Sequence, residues 1–215
     1  MAEPIEPDVR RARSQRTRAR IVDAATELFL EHGYVATRIE AIAARAGVAV
    51  PTVYYLFGTK PSLLAAVLDT TVAGPAGTPI VEQAWVDALG AAPVADAAMR
   101  LLAAHATAVV ARAAPIYDVV RRAAAEPEVA ALLAESRRAR RSDQRRLVEL
   151  LAQAGHLCPS LDVDAAADIL YGLVNEEVFL LLTADCGWSR QRFEDWLATL
   201  LRHELVEPVA DDHAR

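Results

Sequence analysis

The 215-residue chain contains few cysteines, few aromatic residues and no long apolar run. Cys158 and Cys186 do not have the spacing of a metal site, so we expect reduced thiols and neither a metal nor a cofactor. Charged residues interrupt every apolar stretch well before ~18 positions, so we expect no membrane span. The N-terminal sequence MAEPIEPDVRRARSQR lacks the apolar segment of a secretion signal, and we expect a cytoplasmic location.

Runs of β-branched residues are also scarce, whereas Ala and Leu make up much of the 53% hydrophobic content. This composition favours helices over strands and predicts an all-α fold. The net charge of −6 is distributed unevenly. Residues 9–60 carry nine Lys or Arg and four acids, whereas residues 61–215 carry 14 bases and 22 acids. Such an asymmetry is typical of a protein in which only the basic part contacts nucleic acid.

The basic region begins with a segment that has no apolar period. Residues 1–16 are rich in Pro and Arg, and we predict a disordered basic arm there. Helical spacing of apolar residues starts at Thr17 and stops at Gly33. The arginines at 10–20 either follow a DNA backbone or minor groove, or form a solvated charge run without a fixed target.

Two short helices follow, joined by a tight turn. Thr37 and Glu40 have the spacing of a capping box, in which the threonine caps the helix that ends at Gly47. Pro51 suits the first turn of the next helix, which Gly58 ends. Together with the preceding helix they match a three-helix, helix-turn-helix DNA-binding domain over residues 17–60.

The remaining residues predict a larger helical domain over 61–206 and an acidic tail over 207–215. Gly and Pro residues separate the predicted helices, and no internal repeat is evident. After a fourth helix that opens at Lys60, the predicted helices are roughly 80–89, 93–112, 115–125, 127–154, 162–184 and 189–206.

The string GYVATRIEAIAARAGVAVPTVYYLFGTKPSLL, residues 33–64, closely resembles the DNA-binding domain of TetR-family transcriptional regulators. The resemblance covers about residues 17–65. It implies a dimer whose larger domain binds a small molecule that alters the affinity for DNA. Departures from the family pattern affect the operator sequence more than DNA binding itself; they are Ala49, Val50, Leu56 and Pro61, of which Ala49 removes a side-chain cap.

The third helix separates its aromatic residues by face. Val53 and Phe57 are four apart and are predicted to be core residues, while Tyr55 is predicted to face outward unless it is only an amphipathic surface residue. We expect the DNA contacts, whether to phosphates or to base edges, to come from Thr37, Arg38, Val50, Pro51, Thr52, Tyr54, Tyr55 and Lys60.

Helices 162–184 and 189–206 carry the largest apolar side chains near the C-terminus. Paired between two chains they would form a four-helix dimer interface, although burial inside one subunit is the alternative. Two recognition helices about one DNA turn (~34–36 Å) apart would then bind a pseudo-palindromic operator.

The candidate effector-binding residues are polar or aromatic groups among apolar neighbours. Tyr171, Asn175 and Phe179 are spaced by four and would form one stripe, facing a cavity, the dimer interface or the ordinary core. His105 is either a core histidine or a ligand contact. The full candidate set is Trp85, His105, Tyr117, Tyr171, Asn175 and Phe179.

These observations favour a dimeric DNA-binding regulator that acts as a repressor and is released from its operator by a small lipophilic effector. No catalytic motif is present, and the adjacent Glu176 and Glu177 diverge by ~100° on a helix, so we expect no enzyme. The alternative is a helical small-molecule-binding protein that has weakened or lost DNA binding.

Overall fold

The computed structural model describes residues 7–74 and 77–207, which contain helices and no strand. A 3₁₀ turn covers Ile80–Glu82, and a π-helical turn covers Leu181–Asp185. The ten α-helices are α1 (Pro7–Ala36), α2 (Ile39–Ala46), α3 (Val50–Phe57), α4 (Lys60–Ala73), α5 (Ala84–Gly90), α6 (Ala95–Arg122), α7 (Pro127–Gln153), α8 (Val163–Leu173), α9 (Glu176–Leu180) and α10 (Arg190–Leu205). The predicted all-α fold is confirmed.

The chain divides into two compact units. The head unit comprises the chain as far as Thr70 together with Pro115–Leu133, and the body unit comprises Thr71–Ala114 together with the chain from Ala134 onward. The boundary that the sequence predicted between residues 60 and 61 therefore falls inside the head unit. The predicted tail 207–215 lies outside the described residues except for its first residue.

The core of the head unit fixes α1, α2 and α3 against one another. Leu28, Ile42, Val53 and Phe57 are buried, as the helical spacing predicted. Gly33 has φ 76° and ψ 168°, so the regular part of α1 stops there before the chain turns into α2. Only glycine adopts such a conformation at low cost.

The body unit buries an extended apolar core. Side chains from α5, α6, α7, α8 and α10 contribute to it, because each of these helices carries an apolar face at the 3.6-residue period. Its large, fully buried members include Leu89, Met99, Leu102, Leu151 and Phe193.

The N-terminal arm differs from the sequence prediction. Residues 1–6 lie outside the described part of the chain, but α1 already begins at Pro7. Residues 7–16, predicted to lack regular structure, are therefore helical. Ala, Arg and Gln are favourable helix formers, and residues 11–16 are exposed, so no buried face imposes an apolar period on them.

Helix α6 joins two stretches that the sequence divided at Pro115. A proline within a helix removes one backbone hydrogen bond and costs about 3 kcal/mol. Burial of Ile116, Tyr117 and Val120 directly after it offsets that cost. The separate helices predicted at 93–112 and 115–125 are therefore wrong.

The predicted helix 162–184 is in contrast interrupted. Helix α8 ends at Leu173, and Asn175 starts α9 by accepting a hydrogen bond from the Val178 amide at 2.8 Å. The Gln144 amide donates to the Val174 carbonyl at 3.0 Å, which replaces a helical partner with a side chain. Period analysis cannot see such a break, because the apolar spacing continues across it.

Candidate DNA-binding surface and effector region

The turn between α2 and α3 is held by backbone geometry. Gly47 has φ 63° and ψ 43°, a left-handed conformation that lets the Val48 amide donate to the Ala43 carbonyl at 3.0 Å. Ala49 stands at the N-cap of α3 and gives no side-chain hydrogen bond, as its side chain predicted. The start of α3 therefore keeps amide groups without a side-chain partner.

Helix α3 has one buried and one exposed face. Val53 is 1% and Phe57 8% exposed, whereas Tyr55 is 87% exposed. Tyr54 is 49% exposed, which is more open than the half-buried ring expected from its position. Of the other predicted contacts on this helix, Pro51 is exposed, and Val50 and Thr52 are half-buried.

Three arginines of the basic region hold the head unit together, a role that sequence reasoning missed. Arg18 lies over the Phe57 ring at 4.3 Å and donates to the Leu56 carbonyl at 3.1 Å. Arg20 donates to the carbonyls of Ala46 and Gly47 at the end of α2. The third, Arg45, forms an ion pair with Glu27 at 2.7 Å.

The sequence contains part of the evidence for these arginine contacts. Arg18 and Arg20 fall inside the apolar period of α1, where a cation is expected to contact something other than water. Arg11, Arg13, Arg16 and Arg38 are exposed, and their guanidinium groups make no hydrogen bond or ion pair with the described part of the chain. These four remain available to an anionic partner.

Thr37 does not cap α2. Its side chain is 3% exposed, and its hydroxyl donates to the carbonyls of Leu28 at 3.0 Å and Gly33 at 2.7 Å. Arg38 occupies the N-cap position without a side-chain cap, so the predicted capping box is wrong. A phosphate contact by the Thr37 hydroxyl does not fit this placement, whereas Arg38 is exposed beside the free amides of α2.

Lys60 opens α4, and its ammonium group lies 4.2 Å from the centre of the Tyr34 ring. It also donates to the Val35 carbonyl at 3.4 Å. Burial lowers the pKa of Lys60 from its ordinary value, and the negative charge of Glu126 opposes that shift. The lysine is thus partly withdrawn from solvent, and the cap of α4 comes from Thr59, whose hydroxyl accepts from the Ser62 amide at 3.2 Å.

Residues 21–67 match the sequence model of the family described as bacterial regulatory proteins, tetR family. They form a TetR-family DNA-binding domain. The matched residues contain α2, the Gly47 turn and α3, which are the elements that carried the resemblance at the level of the sequence. No protein of curated function is detectably similar to the chain in sequence.

The TetR-family domain is followed by a helical body that is also found in solved structures. A TetR-family regulator from Rhodococcus sp. is 19% identical, with a TM-score of 0.69, and the match covers 88% of this chain and 98% of that one. FadR of Bacillus subtilis, solved with stearoyl-CoA, is 20% identical, with a TM-score of 0.65 and coverage of 85% and 96%.

SmeT of Stenotrophomonas maltophilia, solved as a triclosan complex, is a third protein of similar structure. It is 20% identical, with a TM-score of 0.66, and the match covers 93% of this chain and 97% of SmeT. At this level of identity the three likenesses establish a shared fold.

Two of the predicted effector residues meet in the body unit. The rings of Trp85 and His105 stack at 4.5 Å with an interplanar angle of 8°. Burial lowers the pKa of His105, and the charge of Glu194 opposes that shift. Both rings are half-buried, so they form a flat aromatic surface at the edge of the core.

The predicted stripe of Tyr171, Asn175 and Phe179 is wrong, because the break after Leu173 separates its members. Tyr171 lies under Arg140 at 4.7 Å, Asn175 caps α9, and Phe179 packs edge-on against Phe193 at 5.0 Å. The structure does not bring this set together.

Tyr117 belongs to the head unit, where it is buried, while the other five predicted effector residues belong to the body unit. No group of three His, Cys, Asp or Glu side chains suited to a metal ion occurs in residues 7–74 and 77–207. Within the same ranges, no helix has the length and apolarity needed to cross a membrane.

A buried ion pair was also missed by sequence reasoning. Arg140 on α7 pairs with Glu176 at the start of α9, and Glu176 is 6% exposed. Burial raises the pKa of Glu176 above its ordinary value of 4.5, while Arg140 lowers it. The two adjacent glutamates 176 and 177 do diverge as predicted, since Glu177 pairs with Arg137 instead, at 3.1 Å.

Proposed function

We propose that the protein is a dimeric transcriptional repressor that binds a pseudo-palindromic operator and leaves it when a small lipophilic effector binds the body unit. The TetR-family domain supports the DNA-binding part of this proposal. The dimer, the operator symmetry and the effector class are inferences of our own.

One observation carries the proposal: α3 exposes Tyr55 and Pro51 while its opposite face is locked into the core by Val53 and Phe57. A tyrosine that is 87% exposed on a short, rigidly packed helix is placed to touch a partner. An α-helix fits the major groove, where Val50 and Pro51 would offer apolar contact to a thymine methyl.

Cations on the same domain support a DNA partner. Arg38 is exposed at the N-cap of α2, where unpaired amides already favour an anion. Arg11, Arg13 and Arg16 are exposed on the first turns of α1. Phosphate contacts of this kind fix the register of a protein on DNA, while side chains of α3 contact base edges.

The dimer is supported by apolar residues of α8 to α10 that the body unit does not fully cover. Leu181 is 53% exposed in the π-helical turn, and Leu182, Trp196 and Leu200 are only half-buried. A symmetric pair of such faces would bury them and set two α3 helices one DNA turn apart.

An effector of lipophilic character is supported by the apolar core of the body unit. Two relatives of the same fold were solved with lipophilic compounds, stearoyl-CoA in FadR and triclosan in SmeT.

A second candidate is a helical small-molecule-binding protein with weakened DNA affinity. It is favoured by the uncapped start of α3 at Ala49 and by the absence of a basic side chain at Val50. Loss of an N-cap costs about 1 kcal/mol.

DNA binding separates the two candidates. The full-length chain is titrated against a duplex from the region upstream of its own gene and against a shuffled duplex, by fluorescence anisotropy at several salt concentrations. The repressor predicts preference for the upstream duplex and an affinity that falls steeply with salt. Equal, weak binding to both duplexes at all salt concentrations would favour the second candidate.

A further inference from the structure

Helices α7 and α8 form an open pocket within the body unit. Its volume is about 310 Å³, which lies in the range of about 300–1,000 Å³ that is usual for small-molecule sites. The α7 side of the pocket consists of Arg138, Arg141, Ser142 and Arg145. Because these residues are spaced by three and four positions, they lie on one face of the helix. Three guanidinium groups and a hydroxyl therefore line the same pocket.

The α8 side of the pocket carries two carboxylates, and α7 binds both of them. Arg141 donates to Oδ1 of Asp168 at 2.6 Å, and Arg145 pairs with Asp164. Ala167, the third pocket residue from α8, has only a methyl group. Asp168 uses Oδ1 on Arg141, so its Oδ2 is available as a second hydrogen-bond acceptor.

Arg138 has no such partner on α8. The residues of α8 that follow Asp168, 169–173, are uncharged. Within the part of the chain that the structure describes, Arg138 forms no ion pair or side-chain hydrogen bond, and the hydroxyl of Ser142 forms no hydrogen bond. Both side chains are exposed and lie one helical turn apart, so they can donate to a molecule from solution.

The charges of the pocket determine which ligand fits it. Three guanidinium groups and two carboxylates line it, so one positive charge is in excess and an anion is favoured. Guanidinium groups bind phosphate oxygens through paired hydrogen bonds. The carboxylate of Asp168 repels an anion that has only acceptor oxygens, such as sulfate, but it can accept a hydrogen bond from a P–OH group. Arginine and aspartate in one pocket therefore suit a phosphate group that still carries a proton.

We propose that the pocket between α7 and α8 binds a hydrogen phosphate group. Arg138 and Ser142 donate to its oxygens, and its P–OH donates to Oδ2 of Asp168. The bound group connects α7 to α8 and thereby stabilises the body unit. This inference goes beyond the proposed function, because it depends on neither DNA nor a lipophilic effector.

The test compares inorganic phosphate with sulfate. The full-length protein is titrated with either ion at about pH 6 and constant ionic strength, while NMR follows the Nε–H signals of the arginines. We expect saturable binding of phosphate that is about tenfold tighter than binding of sulfate, because only phosphate has a hydrogen-bond donor for Asp168. Phosphate should also raise the Tm more than sulfate does. Absence of saturable phosphate binding, or equal affinity for the two ions, overturns the proposal.

Methyl phosphate, as a third probe, identifies the source of the phosphate group. At about pH 6 a large share of a phosphate monoester still carries an O–H, because its second pKa is about 6. If methyl phosphate binds about as tightly as inorganic phosphate, the pocket holds a phosphate group of a larger molecule. If only inorganic phosphate binds, the ligand is the free ion. Either result supports the proposal.

Variants at exposed positions test the pocket itself. Arg138→Gln is expected to weaken phosphate binding about tenfold, because a charge-assisted contact is lost. The matched control is Arg146→Gln, since Arg146 is exposed on the same helix but does not line this pocket, and it should keep the affinity. Asp168→Asn should bring the affinities for phosphate and sulfate to within about threefold of each other, because the repulsive charge is removed. Equal weakening by Arg138→Gln and Arg146→Gln would show that the overall charge of α7 attracts the ion, and it would overturn the site.

Discussion

Aromatic residues of the head unit take opposite roles, and so do its arginines; burial and contacts decide which role each residue has. Tyr55 and Phe57 are two positions apart on α3, yet one is 87% exposed and the other is covered by Arg18. The same holds for the arginines, because Arg18 and Arg20 bind backbone carbonyls while Arg38 remains exposed. A count of basic residues therefore overstates the charge that is free to meet DNA.

Tyr55→Ala tests the outward face of α3. We expect the affinity for the upstream duplex to fall about tenfold or more, because a contact to a base edge is worth about 1–3 kcal/mol. The free energy of unfolding should change by less than about 0.5 kcal/mol, since the ring is exposed. Anisotropy and urea unfolding measure the two quantities. Leu30→Ala, which trims a partly exposed side chain on α1, is the control for loss of apolar surface.

At the scale of the element, the turn between α2 and α3 depends on one glycine. A Cβ on Gly47 would lie 2.8 Å from the Arg20 side chain, and φ is +63°. Gly47→Ala is therefore expected to reduce the free energy of unfolding by about 1–2 kcal/mol or more through backbone strain alone. Gly155→Ala, at φ +73° with no atom within 4 Å, isolates the strain and should destabilise less. If urea unfolding showed the same loss of unfolding free energy for both variants, the Arg20 side chain would move away from the added Cβ at no cost.

A row of four ion pairs connects α7 to α8 and α9. Arg137, Arg140, Arg141 and Arg145 lie on one face of α7 and pair with Glu177, Glu176, Asp168 and Asp164, respectively. The exposed pairs contribute little each, because water and salt screen them. The buried pair of Arg140 and Glu176 behaves differently.

Glu176 makes stability depend on pH. Its pKa is raised in the folded protein by burial, against the opposing charge of Arg140 and with support from the charge of Glu177. The folded state therefore holds this proton more tightly than the unfolded state, and the stability from Glu176 is fully present below the ordinary pKa of 4.5 and is lost as pH rises through the folded pKa.

In the wild-type protein the free energy of unfolding should fall as pH rises above ~4.5, and Glu176→Gln should make this fall less steep. Urea unfolding of both proteins at a series of pH values measures the slopes. Asp168→Asn removes the carboxylate of an exposed ion pair and should keep the wild-type dependence of the unfolding free energy on pH. If Glu176→Gln also retained it, Glu176 would not be the group responsible.

The helix boundaries and faces could be predicted from the sequence where residue spacing and residue type agree. They could not be predicted where a residue distant in sequence decides the local structure. The faces of α3 and the left-handed Gly47 followed from spacing and residue type. The continuity of α6 through Pro115 and the break after Leu173 did not. Buried side chains follow Pro115, and Gln144 binds the carbonyl that is free at the break. The predicted stripe of Tyr171, Asn175 and Phe179 was wrong for the same reason, since a stripe assumes an unbroken helix.

At the scale of the whole molecule, the exposed apolar face of α8 to α10 is expected to form the dimer. Leu181→Arg should convert the protein to a monomer in light scattering coupled to size exclusion, and should weaken operator binding, because a buried unpaired charge is costly. Val94→Arg is the matched control, since Val94 is 57% and Leu181 53% exposed in the same unit. A Leu181→Arg variant that stays dimeric would place the interface elsewhere.

The central claim is that two copies of the exposed α3 face bind one operator. Hydroxyl-radical footprinting of the wild-type protein on its upstream DNA tests this claim most directly. We expect two protected patches related by approximate two-fold symmetry and centred about one helical turn, ~10–10.5 bp, or a multiple of it apart. A single protected patch, or uniform protection without symmetry, would contradict the account.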